Sequence, residues 1–245
     1  MVEFRSQFQE VERQQIVDIS TEILFSKDGA EALNYLENVR GFSQDVIKKF
    51  HLGYLPLYAK CDDGYKHELA GRIIIPVYDQ YNKLIILSSR DWREDAKMKF
   101  FHETFPKSFY LYGLNSAKKE IIKNKMAIVV EGEFDTIYCH MAGFPCAVGV
   151  IGSALQLNQI ALLSRYCRDI YIVFDGDQAG LDAIKRVKKI EYEVLLKQFY
   201  NINLIYVLMP KDLDPDDYLK VYGSKEFSRL LENSKKLIVG EETSG

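Results

Sequence analysis

The sequence predicts an α/β protein: a parallel sheet flanked by helices, preceded by an α+β N-terminal subdomain. From Met126 onward, apolar runs of strand length alternate with helix-like stretches, a pattern typical of parallel sheets with crossover helices. Before that residue, helical spacing gives way to a group of short strands. We therefore expect a basic N-terminal subdomain over residues 1–125, a parallel-sheet subdomain over 126–222, and a helical stub and tail over 223–245.

The N-terminal part is predicted to change from helices to strands. Asp28 and Ser43 are candidate N-caps, and Pro76 indicates an edge or a bulge in its strand. The predicted elements are helices over 4–25, 30–39 and 44–50, strands over 72–78, 84–90 and 99–102, and a short helix from Asn115.

The C-terminal part is predicted from its apolar runs. Short stretches of almost uninterrupted apolar residues are typical of strands that are buried on both faces of a parallel sheet. The predicted elements are strands over 126–130, 146–151, 170–174 and 203–209, separated by helices over 135–142, 154–167 and 179–199.

Acidic clusters follow three of these strands. They are Glu131-Gly132-Glu133-Phe134-Asp135, Asp175-Gly176-Asp177, and the acids between Asp212 and Asp217. Ligands bind at the carboxyl ends of parallel strands, and gathered carboxylates stay ionised at low cost only with cations between them. Mg²⁺ prefers such oxygen ligands together with water and phosphate. The clusters therefore predict a magnesium site for phosphate chemistry, with solvated loop acids or helix N-terminal acids as the alternative.

Composition narrows the class of protein. The chain has 245 residues, is 47% hydrophobic and carries a formal net charge of −3. No apolar run approaches the roughly 18–20 residues that span a bilayer, and the N-terminus lacks an apolar signal core. We therefore expect a soluble cytoplasmic protein that does not bind membranes. The four cysteines include no Cys-x-x-Cys pair, so neither structural zinc nor a disulfide framework is expected.

Basic residues concentrate in the middle of the chain. Residues 71–125 contain 11 Lys and Arg against 6 Asp and Glu. A basic region feeding an acidic metal site suits an enzyme that polymerises or cleaves nucleic acid, although ordinary surface variation gives the same count. Aromatic residues here are candidates for base stacking or for the core: Tyr78, Trp92, Phe100 and Phe101.

The acidic clusters resemble a known signature. Glu131-Gly132-x-x-Asp135 followed by Asp175-Gly176-Asp177-x-Ala179-Gly180 is similar to the TOPRIM motif of primases, type IA and II topoisomerases and some nucleases. Further segments, in order, resemble the RNA polymerase core of bacterial DnaG-type primases over about residues 30–235. They are Arg40-Gly41-Phe42-Ser43 to Phe50-x-x-Gly53, Gly71 to Pro76, Leu111-Tyr112-Gly113-Leu114, Gly152-Ser153-Ala154-Leu155 and Asp214-Pro215-Asp216.

This resemblance implies an enzyme that makes short RNA primers on single-stranded DNA from ribonucleoside triphosphates. It implies that Glu131, Asp175 and Asp177 are catalytic and hold two or more Mg²⁺ or Mn²⁺ ions, with Asp135, Asp214 and Asp216 as further ligands. The family's template- and nucleotide-binding residues correspond to Arg72, Arg90, Lys99 and Lys107.

The sequence departs from the family pattern at both ends. It has no candidate for the zinc-binding module, and only a stub corresponds to the helicase-binding domain, so a replicative helicase or a separate zinc-bearing module is an expected partner. A metal-dependent nuclease or a non-catalytic DNA-binding adaptor remains the alternative. A topoisomerase needs a DNA-gating domain for which 245 residues leave no room.

Overall fold

The computed structural model describes residues 2–57, 69–151, 155–178, 180, 182, 184–185 and 202–242, with residues 2–12, 208 and 235–242 described by their backbone. The chain divides into two compact units, Met1–Phe105 and Pro106–Gly245. This division assigns the segment between residues 106 and 125 to the second unit, whereas the boundary predicted from the sequence placed it in the first.

The first unit combines N-terminal helices with an antiparallel sheet. Strands β1 to β4 are neighbours in chain order, and their apolar side chains pack with α1 through residues such as Val17, Leu55 and Ile74. The elements are α1 Val2–Leu24, a 3₁₀ turn Lys27–Gly29, α2 Ala30–Asn34 with its π-helical continuation Tyr35–Val39, α3 Gln44–Lys49, β1 Gly53–Leu55, β2 Arg72–Tyr78, β3 Leu84–Arg90 and β4 Phe100–His102.

Local details of this unit both confirm and correct the sequence-based expectations. Ser43 caps α3 by accepting a hydrogen bond from the Val46 amide, as predicted. Asp28 was wrongly predicted as a cap, because the Ser26 hydroxyl accepts from the Asp28 amide and begins a 3₁₀ turn instead. Pro76 lies in a strand with neighbours on both sides, but β1 pairs only with residues 72–74, and the register of β2 shifts just after Val77.

The second unit contains the predicted parallel sheet. Its strand order is β6-β5-β7-β8, with every neighbouring pair parallel. The elements are a 3₁₀ turn Lys107–Phe109, α4 Leu114–Asn124, β5 Met126–Val130, α5 Glu133–Met141, β6 Ala147–Gly149, α6 Leu157–Leu163, β7 Asp169–Phe174, β8 Asn203–Leu208 and α7 Pro215–Glu242, which breaks at Gly223.

Strands β5 and β7 are buried on both faces, which explains their continuous apolar sequences. Alternate side chains point to opposite faces and enter two separate cores. One face carries Ala127, Val129, Ile170 and Ile172 and packs with apolar residues of α4 and α6. The other carries Ile128, Val130, Tyr171 and Val173 and packs with residues of α5 and α7. The carboxyl ends of the central strands are thereby fixed between helical layers.

Most of the predicted order of elements in this unit is confirmed, with shorter bounds. The helix expected from Asn115 begins at Leu114 after Gly113, which has a left-handed φ of 74°. The predicted helix over 179–199 and the Gly152-Ser153-Ala154 part of one motif lie largely outside the described residues. Among the helices that the structure describes, none combines the length and apolarity that crossing a bilayer requires.

Candidate active site

A hydrogen bond between Asp175 and Glu131 joins the carboxyl ends of β7 and β5. Each residue directly follows its strand, and the Asp175 backbone amide donates a hydrogen bond of 3.1 Å to Glu131 Oε1. One carboxylate oxygen of Glu131 is therefore oriented by the backbone of the neighbouring strand end. The two acids lie side by side, as the sequence predicted for parallel strands.

Backbone contacts bring the third acidic segment to this edge. The Gly176 amide donates to the Leu213 carbonyl over 2.9 Å, and the Asp212 amide donates to the Gly176 carbonyl over 3.1 Å. A Cβ atom at position 176 would lie only 1.9 Å from the Pro210 carbonyl oxygen. Glycine is required here because the two backbones approach too closely for a side chain.

A second group of carboxylates could share one cation. Asp135, Asp214 and Asp216 each offer an oxygen, and these oxygens lie within 4.8 Å of one another. Asp135 Oδ2 accepts from the Gly132 amide at 3.0 Å, and Asp214 Oδ1 accepts from the Asp217 amide at 2.6 Å. Both acids thus keep fixed orientations at the N-termini of α5 and α7, where partial positive charge favours anions.

Asp216 is fully buried at the base of this group. The Lys220 ammonium lies 2.9 Å from Asp216 Oδ1 and 3.6 Å from Asp217 Oδ1, one turn further along α7. The same ammonium lies 5.2 Å from the centre of the Tyr138 ring. Lys220 therefore partly neutralises a carboxylate that would otherwise be costly to bury.

The electrostatics of Asp175 fit a cation site. Its Oδ1 atom is buried and has no hydrogen-bond partner among the described residues. Burial, followed by the charges of Glu131, Asp214 and Asp177, raises the pKa of Asp175 to about 7. A carboxylate that lacks a donor and faces other acids is stabilised when a divalent cation binds beside it. The residues present therefore fit a divalent cation.

Asp177 differs from the other predicted ligands in its exposure and in its contacts. Its side chain is exposed, and its Oδ1 accepts from the Gly180 amide at 2.8 Å. Its charge acts on Asp175, yet it lies outside the group formed by Asp135, Asp214 and Asp216.

The basic residues of the first unit have unequal environments. Arg72 is buried; its Nε donates to Ser89 Oγ at 2.9 Å and its Nη2 to the Met98 and Lys99 carbonyls, both at 3.0 Å. Its Nη1 lies 3.5 Å from Asp91 Oδ2. These contacts tie the sheet to the segment that carries Lys99, so the Arg72 guanidinium supports this segment from within.

Two other basic side chains of this unit are more accessible. Lys99 is exposed. The Arg90 guanidinium lies 4.6 Å from the Phe100 ring centre, in cation–π geometry, and its Nε donates to the Tyr35 hydroxyl at 3.2 Å. Arg90 is therefore held in one orientation by contacts from two neighbouring elements.

Lys107, in the second unit, belongs to a 3₁₀ turn that is fastened by Gln159. The buried Gln159 amide donates to the Tyr110 carbonyl at 2.7 Å and to the Lys107 carbonyl at 3.3 Å. Its oxygen accepts from the Gln156 amide and caps α6. The half-buried Lys107 is thus fixed at its backbone.

Comparisons with known proteins agree on one family. A model described as Toprim-like matches residues 128–219. A DNA primase of Aquifex aeolicus is 30% identical over 234 residues, covering 84% of this chain and 46% of that protein. The crystal structure of the zinc-binding and RNA polymerase domains of an Aquifex aeolicus primase matches with a TM-score of 0.75 at 28% identity, covering 90% of this chain and 59% of that one.

The chain contains a Toprim-like domain and matches the RNA polymerase core of DnaG-type primases along most of its length. A DnaG primase catalytic domain solved with single-stranded DNA shares its fold, with a TM-score of 0.81 at 23% identity over 94% of this chain and 80% of that one. The chain spans between about a third and a half of the length of the curated primases it matches. The predicted α/β fold with its TOPRIM sheet is confirmed.

Sequence reasoning missed several residues that hold the predicted acidic and basic residues in place. Lys220 is spaced i+4 from Asp216 on one helix, a signal of an ion pair that could have been found in the sequence. Gln159 gave no such signal, because the carbonyls that it contacts lie far earlier in the chain, and the same is true of the contact between Asp91 and Arg72. Asp91 binds Arg93 through both carboxylate oxygens, at 2.9 and 2.7 Å.

Proposed function

We propose that this chain is a primase catalytic core that synthesises short RNA primers on single-stranded DNA by metal-dependent nucleotidyl transfer. Three strand-end segments meet at one edge of the sheet, and this observation carries the proposal. Glu131 lies beside Asp175, and Asp135, Asp214 and Asp216 form a second group of carboxylates. The similarity to DNA primases supports the same activity.

We assign the metal ligands to these acids. Glu131, Asp175 and Asp177 would hold the catalytic ions, with Asp135, Asp214 and Asp216 as the further ligand group. Two bound Mg²⁺ or Mn²⁺ ions would supply activation of the attacking 3′-hydroxyl and stabilisation of the leaving pyrophosphate.

The protein itself supplies fixed charge. The Asp175 amide orients Glu131, and the Gly132 amide orients Asp135, so these carboxylates need little rearrangement when a triphosphate arrives. Such preorganisation is the main contribution a protein makes to phosphoryl transfer.

The basic residues would bind template and nucleotide. We propose that Arg90, Lys99 and Lys107 contact phosphates of the DNA or of the ribonucleoside triphosphates, since phosphate contacts supply most of the affinity for single strands. Arg72 contributes by holding the segment of Lys99 in place. The related DnaG domain solved with single-stranded DNA supports such a template. A replicative helicase or a separate zinc-bearing module is the proposed partner.

The test is template-directed synthesis with labelled ribonucleotides, single-stranded DNA and Mg²⁺ or Mn²⁺. We expect incorporation by the wild-type chain and its loss in Glu131→Gln and Asp175→Asn. Glu226→Gln is the matched control, because Glu226 is half-buried on α7, pairs with the nearby Arg229 and is not a proposed metal ligand. Full activity in Asp175→Asn would refute the metal assignment. Strand cleavage without incorporation would indicate a nuclease, and DNA binding with neither reaction would indicate an adaptor.

A further inference from the structure

The first unit contains a cavity whose lining includes Trp92, one of the candidate base-stacking residues of the sequence. Its volume is about 590 Å³, and it lies between the helical segment from Ala30 to Val39 and residues 92–94. Cavities of about 300–1,000 Å³ are typical of sites for small ligands. Neither the predicted acidic ligands nor the predicted basic residues line it.

Aromatic rings form part of its lining. Tyr35 and Trp92 contact each other with ring centres 6.0 Å apart and planes inclined by 36°. Both side chains are only partly buried, so ring surface remains for a further flat group. Every nucleobase has a π-face that stacks on such rings without regard to sequence.

A cation at the cavity is held rigidly. Arg93 forms two hydrogen bonds to the carboxylate of Asp91, which is itself buried, while the Arg93 side chain stays 45% exposed. Arg90 does not line the cavity, but it donates a hydrogen bond to the hydroxyl of Tyr35, which does. Two oriented guanidinium groups therefore flank one aromatic pair.

The charges at the cavity favour a base inside it and phosphates outside it. Glu31 and Glu94 also line it, and their carboxylates disfavour a phosphate inside. The same carboxylates can accept hydrogen bonds from base N–H groups, including the N3–H of thymine. A base inside the cavity with its phosphates outside, near Arg93 and Arg90, satisfies both signs of charge.

We propose that this cavity binds one unpaired base of the single-stranded DNA template, stacked on Trp92 and Tyr35, with the adjoining phosphates at Arg93 and Arg90. This inference rests on the proposed function, because it requires the chain to hold a single strand. It adds a base-binding site in the first unit to the phosphate contacts of Lys99 and Lys107.

The chain carries its own probe, since Trp92 is its only tryptophan. Tryptophan emission is measured while a labelled oligo-dT is titrated, and anisotropy of the label reports total binding in the same sample. An abasic strand of equal length retains the phosphates but has no bases. We expect oligo-dT to quench Trp92 on binding, and the abasic strand to bind more weakly without quenching.

Variants give a second readout. Trp92→Ala should weaken oligo-dT binding about tenfold, the contribution of one stacked base, and leave abasic-strand binding unchanged. Trp92→Phe should retain most of the affinity. Tyr81→Ala is the matched control, because Tyr81 is an exposed aromatic residue of the same unit outside the cavity, and it should bind as wild type.

The outcomes separate the two proposals. Oligo-dT binding with unchanged tryptophan emission, or equal quenching by the abasic strand, would overturn the base site while leaving primase activity intact. Quenching by free ribonucleoside triphosphates but not by oligo-dT would overturn the assignment to template. Absence of any strand binding together with absence of synthesis would overturn the proposed function and the base site with it. If Trp92→Ala fails to fold, the wild-type titration still decides.

Discussion

Removing the charge of Asp175 should stabilise the metal-free protein at alkaline pH. Its carboxyl group has a pKa raised from 3.8 to about 7, chiefly by burial and then by Glu131 and Asp214. The native state therefore keeps a proton that the unfolded chain loses near pH 4. Because the native state binds more protons between these values, the free energy of unfolding decreases as pH rises from about 4 to about 7.

The size of this effect follows from the two pKa values. A rise from 3.8 to about 7 corresponds to about 4 kcal/mol. Asp175 is only partly buried, and solvent screening reduces the effect to about 2 kcal/mol. For a chain of this length, that free energy corresponds to about 4–8 °C in melting temperature. Asp175→Asn should recover this amount at pH 8, and at pH 4 the variant and wild type should melt together.

The assay is thermal unfolding of both proteins in EDTA from pH 4 to pH 8, repeated with Mg²⁺. Binding to the native state should raise the wild-type melting temperature by mass action, and the response of Asp175→Asn should be much smaller. Glu226→Gln is the control, since Glu226 is neither a proposed metal ligand nor among the acids that raise the pKa of Asp175. A difference between Asp175→Asn and wild type that stays constant from pH 4 to pH 8 would refute the reasoning.

Three further predictions concern other contacts. Gly176→Ala should lower the free energy of unfolding by about 1–3 kcal/mol, because its Cβ would meet the Pro210 carbonyl; an unchanged urea midpoint would contradict this. Arg90→Ala should weaken single-strand binding and flatten the log–log salt slope by about 0.7, and a wild-type slope would exclude a phosphate contact. Asp91→Ala should destabilise by about 3–5 kcal/mol, since it leaves Arg72 buried without that carboxylate; a wild-type melting temperature would show the pair to be dispensable.

The parallel sheet could be predicted from the sequence because strands such as β5 and β7 are buried on both faces. Continuous apolar runs are then the only sequences that fit, and they are visible without a structure. The π-helical turn over Tyr35–Val39 had no comparable signal, since a single wide turn depends on packing rather than on periodicity. The cavity beside it could not be predicted for the same reason.

The positions of the acids were equally predictable, but their grouping was not. Strand ends placed Glu131 and Asp175 together, whereas the joining of Asp135 to Asp214 and Asp216 depends on how closely the backbone of residues 210–213 approaches Gly176. That approach is a tertiary contact between segments far apart in the chain. A glycine between two acids indicates a close backbone approach, but it does not identify the approaching segment.

Arg72 has contacts that the sequence did not indicate. The family resemblance assigns it to the template- and nucleotide-binding residues, and its guanidinium also contacts Ser89, Asp91 and the carbonyls of residues 98–99. Arg72 can therefore support the proposed nucleic-acid surface indirectly, by fixing the backbone of the segment that carries Lys99. Loss of such an arginine should lower affinity and stability together, whereas loss of an outward-facing lysine should lower affinity alone. Measuring both quantities for Arg72→Ala and Lys99→Ala separates the two roles, and equal melting temperatures would show that Arg72 does not support the surface.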